Sequence, residues 1–101
     1  MMFKVPRYAK QEAMKALDTR KNLPVSKRFG IDRDRANRLG INSGVERARQ
    51  LVRSDTIPEA DARRVAAFYS RFKNCHTPKC EGAIALWGGR RYGQVLVKKL
   101  R

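Results

Sequence analysis

Residues 56–73 read TIPEADARRVAAFYSRFK, and the apolar side chains in this segment recur at helical spacing. Four large ones follow the i, i+3, i+4, i+7 pattern of one helix face: Val65, Phe68, Tyr69 and Phe72. Thr56 and Glu59 have the spacing of a capping box, and a proline in the first turn of a helix costs little. The segment therefore predicts a helix from the Thr56 cap to about Lys73.

Similar signals predict helices on both sides of this segment. Ser43 and Glu46 form another capping box, which predicts a helix over 44–53. Pro24 ends an earlier helix, because a residue before proline disfavours helical backbone. Pro78 suits a first helical turn, and paired glycines at 88–89 end the helix that it begins. The predicted helices cover 8–22, 44–53, 56–73, 78–87 and a last segment within 92–100, and a short helix over 32–39 is a further expectation.

These segments predict an all-α fold, a small bundle of four to five short helices around one core. No segment alternates apolar and polar residues with a period of two, so strands are not expected. We treat residues 1–101 as a single helical domain, of which 1–7 form an extended N-terminal arm. The predicted core consists of Leu17, Val45, Ala48, Leu51, Val52, Val65, Phe68, Phe72, Ile84, Leu86 and Leu96.

The net charge is the strongest functional signal in the sequence. Lys and Arg number 24 against 9 Asp and Glu, so the formal net charge is +15 on 101 residues. Such a charge repels itself in a folded chain, which favours a function that requires it. Arginine outnumbers lysine, and its planar guanidinium suits bidentate contacts with phosphate or carboxylate. We therefore expect a polyanionic partner, nucleic acid (DNA first) or an acidic protein surface.

Several other classes of protein are not expected from this sequence. No apolar run approaches the roughly 20 residues that a membrane-spanning helix needs, and no signal peptide is recognised. One histidine, two cysteines and scattered carboxylates form no catalytic triad, paired-acid site or phosphate loop. We expect a protein without enzymatic activity, cofactor or membrane contact, made in the cytoplasm with its thiols reduced.

The candidate phosphate ligands are arginines and lysines on the predicted helices. They are Arg47, Arg49, Arg53, Arg63, Arg64, Arg90, Arg91, Lys98 and Lys99. A helix-turn-helix is an alternative arrangement, since Ala36 and Gly40 have its spacing, although Val45 comes one position early. In that arrangement Arg47, Arg49 and Gln50 would reach base edges.

Two smaller features allow more than one interpretation. Cys75, His76 and Cys80 lie within six residues, but zinc in a structural site usually takes four ligands. Glu81 or a second chain could complete the site, and incidental cysteines or a redox link are the alternatives. The pair Gly88-Gly89 before two arginines could cradle a phosphate or simply end a helix. The aromatic side chains are expected in the core, with stacking on single-stranded bases as the alternative: Phe68, Tyr69, Phe72 and Trp87.

Three segments together resemble a known module. They are 44–51 (GVERARQL), 63–68 (RRVAAF) with Arg71 following, and 82–89 (GAIALWGG). In this order they are similar to a small helical module of tailed-bacteriophage proteins, found with head-maturation and other structural proteins. The resemblance covers about residues 13–93. The short loop from Cys75 to Cys80 replaces the usual acidic insert, and Arg90-Arg91 replaces the usual acidic pair.

The resemblance implies a phage origin and a helical fold. With the charge, it leads to a virion- or packaging-associated protein that contacts nucleic acid through its arginines and lysines. The alternatives are a capsid component or an inhibitor of a host protein with an acidic face, and a helix-turn-helix regulator. The expected location is the host cytoplasm, with the virion as the second location.

Overall fold

The computed structural model describes residues 1–30, 35, 37–38 and 43–101. In that part of the chain five α-helices and two short strands surround one core, so the predicted all-α bundle is confirmed. The elements, in order, are β1 (Met2–Lys4), α1 (Arg7–Asn22), a 3-10 turn (Val25–Lys27), α2 (Gly44–Arg53), β2 (Thr56–Pro58), α3 (Glu59–Phe72), α4 (Pro78–Leu86) and α5 (Gly89–Lys99). The short helix predicted over 32–39 lies outside the described residues, except for 35 and 37–38, and so do Ala36 and Gly40.

The expectation of no strands was wrong. β1 and β2 pair antiparallel, with Phe3 opposite Ile57, and the Ile57 side chain is fully buried. Three-residue strands are too short to show an alternating pattern in the sequence. The pairing also corrects the predicted start of α3, because Thr56 lies in β2 and Pro58 takes the N-cap position.

Side-chain caps begin two other helices, and the cap predicted at Ser43 is confirmed. The Ser43 hydroxyl accepts a hydrogen bond from the backbone N–H of Glu46 at 3.1 Å, and α2 has the predicted bounds. The Thr77 hydroxyl accepts one from the N–H of Cys80 at 3.2 Å, directly before Pro78. Each cap pairs a backbone donor that the helix itself leaves unpaired.

The core is built by all five helices and by β2. Seven of the predicted core residues are buried: Val45, Ala48, Leu51, Val65, Ile84, Leu86 and Leu96. The other four are only half-buried: Leu17, Val52, Phe68 and Phe72. The core list omitted several buried side chains, above all the alanine face of α1 and one aromatic ring: Ala9, Ala13, Ala16 and Tyr92.

Helices α3 and α5 pack side by side in opposite directions. The Gln94 amide donates to the Tyr69 hydroxyl at 3.1 Å, and one turn further toward the end of α3 the Arg90 guanidinium donates to the Lys73 carbonyl at 2.7 Å. A Cβ atom on Gly93 would lie 2.4 Å from the Tyr69 ring, so the glycine allows this close approach. No helix in the described part is long and apolar enough to cross a membrane.

Candidate nucleic-acid interface

The positive charge is concentrated in the last forty residues. Residues 62–101 contain ten Lys and Arg side chains and one acidic side chain, Glu81, which gives +9 of the total +15. This segment includes nearly all of α3 and the whole of α4 and α5. The exposed cations of α3 and α5 define a surface that we call the α3–α5 basic surface: Arg63, Arg64, Arg71, Arg91, Lys98 and Lys99.

On α5 the exposed side chains follow helical spacing. Arg91, Gln94 and Lys98 lie three and four residues apart, so they form one stripe along the helix. Gln94 connects this stripe to α3 by a hydrogen bond to the Tyr69 hydroxyl. The guanidinium of Arg91 lies over the Tyr8 ring, 4.3 Å from its centroid, which orients the side chain without neutralising its charge.

On α3 two of the arginines form ion pairs along the helix. Arg63 pairs with Glu59 at 3.2 Å and Arg64 with Asp61 at 3.2 Å, while both arginines are more than half exposed. Ion pairs of this kind contribute about 0.3–0.5 kcal/mol each. An incoming phosphate can therefore compete for these guanidinium groups at small cost.

Other cations of the segment carry no ion pair with a described carboxylate. They are Arg71, Lys73, Lys79, Arg91, Lys98, Lys99 and Arg101. Four of these seven were absent from the sequence-based candidates, namely Arg71, Lys73, Lys79 and Arg101. A count of charge over 62–101 would have found them.

Arg90 differs from the other cations because its side chain forms several contacts within the protein. Its guanidinium donates to the carbonyls of Lys73 at 2.7 Å and Cys75 at 2.8 Å, and it forms an ion pair with the Glu81 carboxylate. The hydrogen bond from Arg90 lowers the pKa of Glu81 below its ordinary value, and the same contact raises the pKa of Arg90. Arg90 thus joins α5 to the loop between α3 and α4.

A cleft of about 400 Å³ lies beside the start of α5. Gly88 and Gly89 border it with φ of 99° and 89°, a left-handed backbone that favours glycine. Arg90 and Arg91 line the cleft, but so do the carboxylates of Glu12 and Glu81. Because both signs of charge line this cleft, it offers no concentrated positive potential, and phosphate binding by the glycine pair stays a prediction.

Arg47 departs from its predicted role as a contact to nucleic acid. Its side chain is 8 % exposed, pairs with Asp61 at 3.0 Å and lies 5.1 Å from the centroid of the Trp87 ring. Burial raises the pKa of Asp61, but hydrogen bonds from Gln50, Arg47 and Arg64 outweigh it and leave that pKa below its ordinary value. The pair joins α2 to α3, which a pattern within α2 alone could not reveal.

The side-chain contacts of α2 also count against the helix-turn-helix alternative, in which this helix would contact base edges. Gln50 is half-buried and its amide donates to Asp61 at 3.0 Å, so two of the three side chains expected at base edges are engaged inside the protein. Arg49 is exposed and pairs with Glu46 at 2.8 Å. Arg53 is exposed at the end of α2. These two arginines lie on a different helix from the α3–α5 basic surface.

The cysteines form a disulfide bond, contrary to the expectation of reduced thiols. Cys75 and Cys80 are joined across the loop between α3 and α4, with Cα atoms 5.8 Å apart. His76 lies near Arg90 and Glu81, 72 % exposed. Among the described residues no group of three or more His, Cys, Asp or Glu side chains is arranged to hold a metal ion. The redox link is therefore the alternative that the structure favours for this loop.

The aromatic side chains divide between the core and its edge. Trp87 is buried and stacks on Phe68 with ring centroids 4.4 Å apart and planes 4° apart. Phe68 in turn stacks on Phe72 at 4.6 Å. Phe68 packs against the core as a half-buried ring, whereas Phe72 stacks on Phe68 and does not belong to the set of side chains packed on the core. The expected core position is therefore confirmed for Trp87 and does not hold for Phe72.

Comparisons with known protein families, curated proteins and solved structures found no match for this chain.

Proposed function

We propose that this protein binds nucleic acid, without catalysing a reaction, through phosphate contacts of the α3–α5 basic surface. The observation that supports the proposal is the charge of residues 62–101, which contain ten cations and one carboxylate, Glu81, that Arg90 already engages. Two of the ten cations, Arg63 and Arg64, also pair with Glu59 and Asp61, and seven carry no ion pair with a described carboxylate. A surface of this kind releases counterions from a phosphate backbone when it binds. The resemblance to tailed-phage modules supports a phage particle, or the packaging of its genome, as the setting.

The geometry favours contacts with the backbone over recognition of a base sequence. The cations of the surface are spread over two adjacent helices and extend to Lys99, so they can follow a chain of phosphates. Arg47 and Gln50, two of the three side chains that would contact bases in the helix-turn-helix alternative, are instead bound to Asp61. We therefore expect affinity that depends strongly on salt and weakly on sequence.

The test is fluorescence anisotropy with random-sequence duplex DNA over a range of salt concentrations. If six to ten phosphates are engaged, the affinity should fall about 10³- to 10⁵-fold between 50 and 200 mM salt. Absence of binding at low salt would refute the proposal and point to an acidic protein surface as the partner. Enrichment of the protein in purified particles would support the phage setting.

A matched pair of variants locates the surface. Replacing Arg71, Lys98 and Lys99 by glutamine removes three exposed charges that have no carboxylate partner in the described part. The slope of log affinity against log salt should become shallower by about 0.9 for each phosphate that the variant no longer engages.

The control removes the same charge elsewhere on the protein. Lys15, Lys21 and Lys27 are exposed on α1 and the 3-10 turn and also lack a described carboxylate partner. Their replacement by glutamine should leave the slope close to that of the parent protein. Equal changes of slope in both triple variants would show that the net charge, and not this surface, determines binding.

A further inference from the structure

Three aromatic rings and one cation form a column at the edge of the core. The guanidinium of Arg47 lies over Trp87, Trp87 stacks on Phe68, and Phe68 stacks on Phe72. Each of the two inner rings, Trp87 and Phe68, therefore has two partners in the column. Arg47 therefore closes the buried end of the column, and Phe72 forms its outer end.

Phe72 differs from the other rings of the column in its surroundings. It is half-buried and does not belong to the set of side chains that pack against the core. Its neighbours Arg71 and Lys73 are both exposed, and neither has an ion pair with a described carboxylate. The last turn of α3 thus presents a partly exposed aromatic ring between two exposed cations that have no described carboxylate partner.

We propose that Phe72 is a stacking platform for an unpaired base of a single-stranded nucleic acid. This inference rests on the proposed function, because Arg71 and Lys73 then hold the phosphates on either side of the stacked base. Aromatic rings beside a positively charged path are the usual elements of single-strand binding, and the stacking tolerates any base because each has a π face. The bases of a duplex are stacked on one another, so only an unpaired base can extend the column.

Other ligands fit this end of α3 less well. An acidic peptide would satisfy the two cations but leave the ring without a flat partner, whereas a nucleotide supplies both a phosphate and an aromatic base. The end of α3 also lies near the start of α5, since Arg90 donates to the carbonyl of Lys73, the residue after Phe72. A strand that crosses Phe72 can therefore continue toward Arg91 and Lys98.

The first test compares two probes on the unmodified protein. One is an oligothymidylate, and the other is a strand of equal length and charge in which every sugar is abasic. We expect the oligothymidylate to bind about 5- to 30-fold more tightly at equal salt, the lower part of the range for one stacked base, because Phe72 is only partly accessible. Equal affinity for the two strands would overturn the stacking proposal while the proposed phosphate contacts stand. If neither strand binds at low salt, both proposals fall.

Variants then test whether Phe72 causes the preference for the oligothymidylate over the abasic strand. Phe72→Leu should abolish the preference for the oligothymidylate over the abasic strand, leave duplex binding unchanged and leave its salt slope unchanged. Phe72→Tyr keeps the ring and should retain the preference. The matched control is Phe3→Leu, which removes a half-buried ring from β1, away from the column. A preference that persists in Phe72→Leu, or that disappears equally in Phe3→Leu, would overturn the assignment.

Discussion

Asp61→Asn should lower the free energy of unfolding by about 3 kcal/mol, because it removes the carboxylate that faces Arg47 in the interior. Arg47 is 8 % exposed and its guanidinium lies 3.0 Å from the Asp61 carboxylate. Breaking a buried ion pair by removing one partner costs about 3–5 kcal/mol, since a desolvated charge is left behind. We expect a loss at the lower end of this range, because Asp61 is 19 % exposed and Arg47 keeps its hydrogen bond to Gln50.

The assay is urea unfolding at neutral pH, followed by the fluorescence of Trp87, the single tryptophan of the chain. The control is Asp55→Asn, the same chemical change at a carboxylate that is 98 % exposed and pairs with Lys10 at 3.3 Å. A pair so exposed should contribute less than about 1 kcal/mol. If the two variants lose equal stability, the assignment of Arg47 and Asp61 as a buried pair is wrong.

The Asp61 carboxylate should also make the stability of the protein depend on pH. The pKa of Asp61 is lower in the folded protein than its ordinary value of 3.8, so folding favours the charged form. Its contribution to stability is therefore fully present above pH 3.8 and is lost as the pH falls through the folded value. Asp61→Asn should remove this part of the acid sensitivity, which a urea series at several acidic pH values would measure.

Two further predictions concern packing and the disulfide bond. A Cβ atom on Gly82 would lie 2.3 Å from the Phe29 ring, so Gly82→Ala should cost about 1–2 kcal/mol in urea unfolding despite its better helix propensity. Gly44→Ala, where the nearest atom would be 3.4 Å away, should change stability by less than about 0.5 kcal/mol, and an equal effect would contradict the close packing. Reduction of Cys75–Cys80, which closes a short loop, should cost about 2 kcal/mol by loop-closure entropy. A Cys75→Ser, Cys80→Ser variant should show that loss without responding to dithiothreitol.

The parts of the fold that the sequence predicted well are those set by local chemistry. α2 has its predicted bounds because Ser43 caps it and Ser54 follows it with extended backbone. α3 was found from its apolar spacing, but its start was misplaced because Thr56 pairs with Lys4, more than fifty positions earlier. Pairing over such a distance leaves no mark in a local pattern.

The positive charge of the candidate site could be predicted from the sequence, but the positions of its side chains in the fold could not. Lys98 and Lys99 are exposed, as any lysine near the end of a helix is expected to be. Arg47 and Arg49 lie two positions apart on α2, and nothing in the neighbouring sequence separates their roles. Arg47 is nevertheless buried, because it contacts Asp61 and Trp87 from other parts of the fold. The accessible position of Phe72 likewise depends on how Phe68 and Trp87 meet, which helical spacing alone did not show.

The pairing of β1 with β2 has a consequence for the order in which the protein folds. Residues 2–4 make their hydrogen bonds with residues 56–58, and the Tyr92 hydroxyl donates to the carbonyl of Lys4 at 3.4 Å, across 88 positions. Contacts at such separations lower folding rates, because the entropy of closing a long loop is lost before the contact forms. The helices can associate first, and the strand of the first residues then docks on their assembled surface. Folding kinetics should therefore show the N-terminal segment gaining protection from hydrogen exchange after α3 and α5 have gained theirs.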